Sequence, residues 1–239
     1  MILKDLIFKE HKDEKPRVVK PKPKFHYSKF RCVLIDPVDS MINFDNCIGD
    51  LVFNSLDKIN IKHGDCFLHK SLYCSVYDTI NRYRSLSSED KDYIKFYNLI
   101  KKGLSSKEYL DKLYDFSDAM SALQFMKNQG VELITISNLP SSFLRLAYQK
   151  FGYNGFFDTI LSDNKFLDKQ SRIDNVIQFN RLFDYDPEEI LVIGNSSYCY
   201  DIASRLNTVP FCIYREGRCD TSYQRVGMSN SLEYIINNW

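Results

Sequence analysis

No run of apolar residues in this 239-residue chain approaches the ~20 needed to cross a bilayer as a helix, so nothing in it reads as a membrane span. An excess of one charge is missing too. With 32 Lys and Arg against 31 Asp and Glu, the net charge of +1 gives no electrostatic reason to expect nucleic acid or a membrane surface as a partner. The seven cysteines (Cys32, Cys47, Cys66, Cys74, Cys199, Cys212 and Cys219) contain no CxxC pair and are odd in number, which fits reduced thiols in a cytoplasmic protein. The amino end, Met1 to Phe8, is broken by charge and lacks the apolar core of a signal peptide. There is no internal repeat.

What the chain does have is a short stretch that organises the rest. Cys32-Val33-Leu34-Ile35 is an unbroken apolar run of the length expected for a strand buried on both faces. Asp36 follows at once, and Pro37 then disfavours helix at Asp36 and ends the ladder. In an open α/β sheet the carboxyl end of a buried strand is where ligands bind, which makes Asp36 a candidate reacting group. On its own the stretch fits equally an Asp that turns the chain as it leaves the sheet.

Before this strand, residues 9–24 are almost all charged or proline and predict an extended tail or linker, with protein docking through its basic end as an alternative. From 41 to about 116 the apolar spacing is helical, in the series Ile48, Leu51, Val52, Leu56; Leu72, Val76, Ile80, Tyr83; Tyr93, Phe96, Tyr97, Ile100; and Tyr109, Leu110, Leu113. No strand is expected in this block. His63 and His69 have no metal-ligand spacing; Arg82 and Arg84 are candidate contacts for a substrate anion or a solvated helix face. After Asp118 the rhythm changes to alternation. A helix over 119–128 closed by Gly130 precedes a strand at 131–136, and a helix at 141–151 a strand at 159–161. A helix after Lys169 then leads to a strand at 190–193, and a helix at 202–206 to a strand at 209–214. Strands alternating with helices of this length predict parallel βαβ units in a doubly wound sheet.

The strand ends, read in order, carry Asp36, then Ser137-Asn138, then Lys169, then Asn195 to Asp201. That order, with a helical insert directly after the first group, resembles the haloacid dehalogenase-like (HAD) hydrolases with a helical cap. The resemblance implies an α/β fold, a Rossmann-like doubly wound parallel sheet, with an inserted all-helical cap. Its divisions would be a charged tail at 1–24, the core at 25–40 and 117–239, and the cap at 41–116. It further implies a phosphatase acting on a small phosphorylated metabolite through an aspartyl-phosphate intermediate. Asp36 would be the nucleophile, Ser137 the hydroxyl that holds substrate oxygens, and Lys169 the amine that neutralises clustered negative charge. Ser40 and Asn138 would contact substrate. Mg²⁺ would be held by Asp36, the carbonyl of Val38, Asn195 and Asp201. Taken singly, Ser137 could instead cap the next helix, Lys169 could lie on the surface, and Asp201 could stabilise a helix dipole.

Two positions depart from the pattern. The phosphatases resembled carry a second Asp two residues after the nucleophile as general acid, and here that residue is Val38, which cannot carry a proton. Their last motif is Gly-Asp followed after three or four residues by another Asp, whereas this chain has Gly194-Asn195 with Asp201 arriving late. Weakened catalysis and weakened Mg²⁺ binding are therefore expected. Two alternatives follow: a catalytically inactive HAD-fold binding protein, or a metal-independent enzyme like the 2-haloacid dehalogenases, in which Ser196 to Asp201 would form the last motif.

Overall fold

The computed structural model describes residues 27–60, 90–137, 139–162, 170–195, 197–215 and 227–239. Within them the chain alternates between strand and helix. The strands are β1 (Cys32–Ile35), β2 (Ile42–Asn43), β3 (Tyr114–Asp115), β4 (Glu132–Ser137), β5 (Thr159–Ser162), β6 (Ile190–Gly194), β7 (Val209–Ile213) and β8 (Gly227–Ser229). The helices are α1 (Asp45–Lys58), α2 (Asp90–Leu104), α3 (Lys107–Asp111), α4 (Ala119–Asn128), α5 (Ser141–Phe151), α6 (Gln170–Leu182), α7 (Ser197–Leu206) and α8 (Glu233–Asn237).

Six strands form one parallel sheet in the order β5-β4-β1-β6-β7-β8. The apolar runs explain why. All four residues of β1 are fully buried, and strand geometry sends alternate side chains to opposite faces. Val33 and Ile35 join one apolar cluster with Leu133, Leu191 and Ile193, against α4, α5 and α8. Cys32 and Leu34 join another with Ile134, Ile136 and Val192, against α6 and α7. Both faces of the sheet are thus covered by helices, which is the doubly wound arrangement expected from the alternation.

Chain order places β1 between β4 and β6. The chain leaves β1, returns as β4 and β5 on one side, then crosses to β6 on the other. Such a reversal opens a crevice at the carboxyl ends of the central strands, where Asp36 stands. Helix α5 shows the local logic well: Pro140 leads in with extended backbone, and Gly152 ends the helix at φ 77°, a left-handed conformation that costs glycine little.

Between β1 and β4 the described residues are helical in α1, α2 and α3, as the apolar spacing requires, and the series from Leu72 to Tyr83 lies outside the described residues. One expectation there is corrected. The insert is bracketed by two-residue strands, β2 and β3, which pair antiparallel with Ile42 opposite Asp115 and Asn43 opposite Tyr114. Two residues are too few to show period-two alternation, so the pair leaves no trace in the sequence pattern. The far side of this bracket is tied down. Lys150 donates to the carbonyls of Leu110 and Leu113, both at 2.7 Å, and the Tyr153 hydroxyl donates to Asp115 at 2.9 Å. Among the described residues no helix is long and apolar enough to cross a membrane.

Candidate active site

Asp36 prolongs β1 by one rung, its N–H donating to the Ile193 carbonyl at 2.9 Å, and it is 2% exposed. The chain then turns sharply, with the N–H groups of Met41 and Ile42 both donating to the Pro37 carbonyl. Within that turn the Val38 N–H donates to Asp36 Oδ1 at 3.3 Å, and the Ser40 hydroxyl donates to the Asp36 carbonyl. Asp39 takes φ 52°, and its Oδ1 accepts from the Phe44 N–H at 2.9 Å. That bond ties the Asp39 carboxylate to the start of the insert.

Ser137 ends β4 beside Asp36. Its hydroxyl donates to Asp36 Oδ1 at 3.1 Å and accepts from the Leu139 N–H at 3.3 Å, with the residue fully buried. Asn175 on α6 donates to the Ser137 carbonyl at 3.1 Å and to the Tyr198 hydroxyl at 2.8 Å, joining β4, α6 and α7 behind the site. Asn138, Lys169 and Ser196 lie outside the described residues, as do His63, His69, Arg82, Arg84 and the tail at 1–24.

Ser40 sits inside the turn. It is fully buried, its hydroxyl serves the Asp36 carbonyl, and its own carbonyl accepts from Arg215 Nη2 at 2.7 Å and Nε at 3.3 Å. Arg215 also grips Asp118 with two parallel bonds, Nη2–Oδ1 at 2.7 Å and Nη1–Oδ2 at 2.8 Å, and lies 4.2 Å over the Phe116 ring. Burial works against ionisation of Asp118, but Arg215, the Ser231 hydroxyl and the Leu232 N–H outweigh it and hold the carboxyl below its ordinary range. Ser40 therefore anchors the turn after Asp36 to a buried ion pair, with its O–H given to the Asp36 carbonyl.

The other flank of Asp36 brings a residue the sequence reading passed over. Cys199 Sγ lies 3.8 Å from Asp36 Oδ2 and 3.7 Å from the Ile193 carbonyl, and the residue is 4% exposed. It comes this close because residue 194 is glycine. A Cβ there would stand 1.9 Å from Cys199 Sγ and 3.3 Å from the Asp36 Cβ. Helix α7 begins at Ser197, five residues before the expected start at Ile202, so Tyr198, Cys199, Ile202 and Ala203 form its buried face. Asp201, two residues beyond Cys199, is turned roughly 200° from it around the helix. It is half-buried.

No protein-family profile matches the chain, and no curated protein does. Solved structures do. A haloacid dehalogenase-like family hydrolase from Streptococcus pneumoniae matches with a TM-score of 0.70 at 12% identity, over 88% of this chain and 98% of its own. A predicted phosphatase from Clostridium acetobutylicum reaches 0.72 at 17% identity, over 87% and 97%. Protein tyrosine kinase A from Mycobacterium tuberculosis reaches 0.69 at 16% identity, over 87% and 96%.

The chain has the haloacid dehalogenase-like fold. In HAD terms Asp36 ends the first strand and Ser137 the second, and the structure brings the two side chains into hydrogen-bond contact. Cys199 comes four residues after Asn195, so if Gly194-Asn195 opens the last HAD motif, a thiol falls where that motif would carry its second acid. Mg²⁺ requires hard, mostly anionic oxygen in near-octahedral order. Here the Asp36 carboxylate has a thiol beside its Oδ2, and no group of three His, Cys, Asp or Glu side chains among the described residues could hold a metal. The donors found among the described residues do not fit the ion.

Proposed function

We propose that this chain is a HAD-like hydrolase acting on a small phosphorylated metabolite, with Asp36 as the covalent acceptor and catalysis weakened by the residues around it. The observation that supports this reading is the placement of a buried carboxylate at the carboxyl end of the central strand, with the Ser137 hydroxyl at 3.1 Å. One Asp36 oxygen would attack phosphorus while the bond to the leaving oxygen breaks and that oxygen takes the electron pair. Water would then attack phosphorus in the aspartyl phosphate, returning Asp36 as carboxylate and releasing phosphate. The hydroxyl of Ser137 and backbone N–H groups would turn towards the substrate oxygens, and Lys169 would supply a positive charge, as the resemblance implies.

The leaving oxygen needs a proton unless it is already a stable anion, and Val38 has none to give. Activated aryl phosphates are therefore the fair test. Turnover above background, lost in Asp36→Asn, is the expected result; an Asp36→Asn variant with wild-type activity would rule the assignment out.

A second reading is favoured by Val38, Asn195 and Cys199 together, since each replaces an acid on the side of the site that handles protons and cations. In it the fold is kept as a catalytically silent binding protein. One neighbour is a tyrosine kinase, so the fold alone does not choose the reaction. Phosphate or a phosphate ester binding to the wild-type chain without turnover would favour this reading. Chloride release from 2-chloropropionate without added metal would point instead to the dehalogenase alternative.

A further inference from the structure

We infer that the Asp36 pocket operates without a resident divalent cation, because Cys199 occupies one flank of its carboxylate and Asn195, next after β6, brings no negative charge. The inference rests on reading Asp36 as the phosphate-facing carboxylate of the proposed function, and it concerns what accompanies that carboxylate.

Three observations support it. Cys199 Sγ sits 3.8 Å from Asp36 Oδ2, so a cation on that oxygen would meet a sulfur. Thiol sulfur is soft, and Mg²⁺ and Ca²⁺ take oxygen. The sulfur is also wedged in place: Gly194 leaves no room behind it, and the flanking residues of α7, Tyr198 and Ile202, are fully buried. Finally, Asn195, which directly follows β6, brings an amide and no negative charge. A small cation that gives up its water reluctantly gains too little from one carboxylate and neutral groups.

The consequence is a pocket whose charge balance is set by the protein. A phosphate entering beside Asp36 must be compensated by protein N–H groups, hydroxyls and ammonium groups, so ligand affinity should be indifferent to chelators.

The test is thermal unfolding and titration calorimetry with MgCl₂, on the wild-type chain, on Asp36→Asn, and on the double variant Asn195→Asp with Cys199→Asp. Wild type and Asp36→Asn are expected to show no binding heat and midpoints unmoved by millimolar Mg²⁺. The double variant, which restores two carboxylates, is expected to gain Mg²⁺-dependent stabilisation of about 5–10 °C at a hundred times its dissociation constant. Adding Asp36→Asn to it should abolish that gain. Mg²⁺ binding by wild type that is lost in Asp36→Asn overturns the inference. So does a folded double variant, checked by circular dichroism, that ignores Mg²⁺. If the double variant does not fold, the comparison of wild type with Asp36→Asn decides alone. None of these readouts depends on turnover. A chain that binds no Mg²⁺ and also turns over no aryl phosphate sinks the proposed hydrolase and leaves this inference standing.

Discussion

Replacing Arg215 by Met is the perturbation that most directly tests how the Asp36 turn is held. Arg215 and Asp118 have side chains 10% and 7% exposed, so their two parallel bonds are sheltered from solvent screening. The arginine also serves the Ser40 carbonyl and, through Nη1, the Asn230 carbonyl at 2.9 Å. Asp118 collects further bonds from the Ser231 hydroxyl and the Leu232 N–H, both at 2.7 Å. Removing one partner of a buried pair generally costs ~3–5 kcal/mol, because the survivor is left as an uncompensated charge. Asp118 would keep two donors, so the lower end, about 3 kcal/mol, is expected for Arg215→Met. In a chain of this size that is a fall of about 6–12 °C in Tm. Asp118→Asn should cost a similar amount, since it leaves the guanidinium facing mainly carbonyls.

The decisive measurement is a double-mutant cycle by urea unfolding, with the m-value confirming that each variant unfolds as wild type does. The double variant should be less destabilised than the sum of the singles by about 2 kcal/mol, because the second change has no charge left to orphan. Additive losses, or an Arg215→Met cost below about 1 kcal/mol, would show that the pair is not what fastens the turn. If it is, Arg215→Met should also lower turnover at Asp36 under conditions where the protein stays fully folded.

Three further expectations follow from the same geometry. The lowered Asp118 pKa contributes stability that is complete above the unfolded value, ~4, and lost as pH falls through the folded value. The acid limb of a stability–pH curve should therefore flatten in Asp118→Asn, and an unchanged limb would count against the assignment. Gly194→Ala should cost ~1–3 kcal/mol through its clash with Cys199 Sγ. Cys199→Ala should recover most of that loss in the double variant, and a lack of rescue would mean the strain lies in the backbone instead.

Much of this architecture was legible because burial leaves a local mark. Cys32 to Ile35 is apolar at every position, and both faces of β1 are covered. Helices α4 and α5 occupy the residues their spacing indicates, 119–128 and 141–151. What escaped notice is non-local. The Arg215–Asp118 pair spans 97 residues, and no pattern within either neighbourhood announces it. Strand β8 is three residues long and joins the sheet through β7. The start of α7 mattered most. Gly194-Asn195-Ser196-Ser197 reads as loop by composition, which delayed the expected helix to Ile202 and left Asp201 as the candidate acid. The helix begins at Ser197, and its buried face includes Cys199.

The changed positions are not scattered around Asp36. The side shared with β4, where Ser137 sits, has a hydroxyl on Asp36, whereas under the proposed function Val38, Asn195 and Cys199 would stand in place of a proton donor and two acids. This separation allows the losses to be restored one at a time. Val38 is half-buried and its N–H already holds Asp36 Oδ1, so an Asp side chain there would start from a turn of the right shape with access to solvent. A positioned general acid is worth ~10²–10⁴ in rate, and it acts on the leaving oxygen. Val38→Asp should therefore raise turnover of an alkyl phosphate far more than that of an aryl phosphate, whose departing phenolate needs little protonation. Adding Asn195→Asp and Cys199→Asp should make both rates respond to Mg²⁺. A Val38→Asp variant that is folded yet raises neither rate, or raises both equally, would show that residue 38 does not face the leaving group, and the register of Asp36 as nucleophile would fall with it.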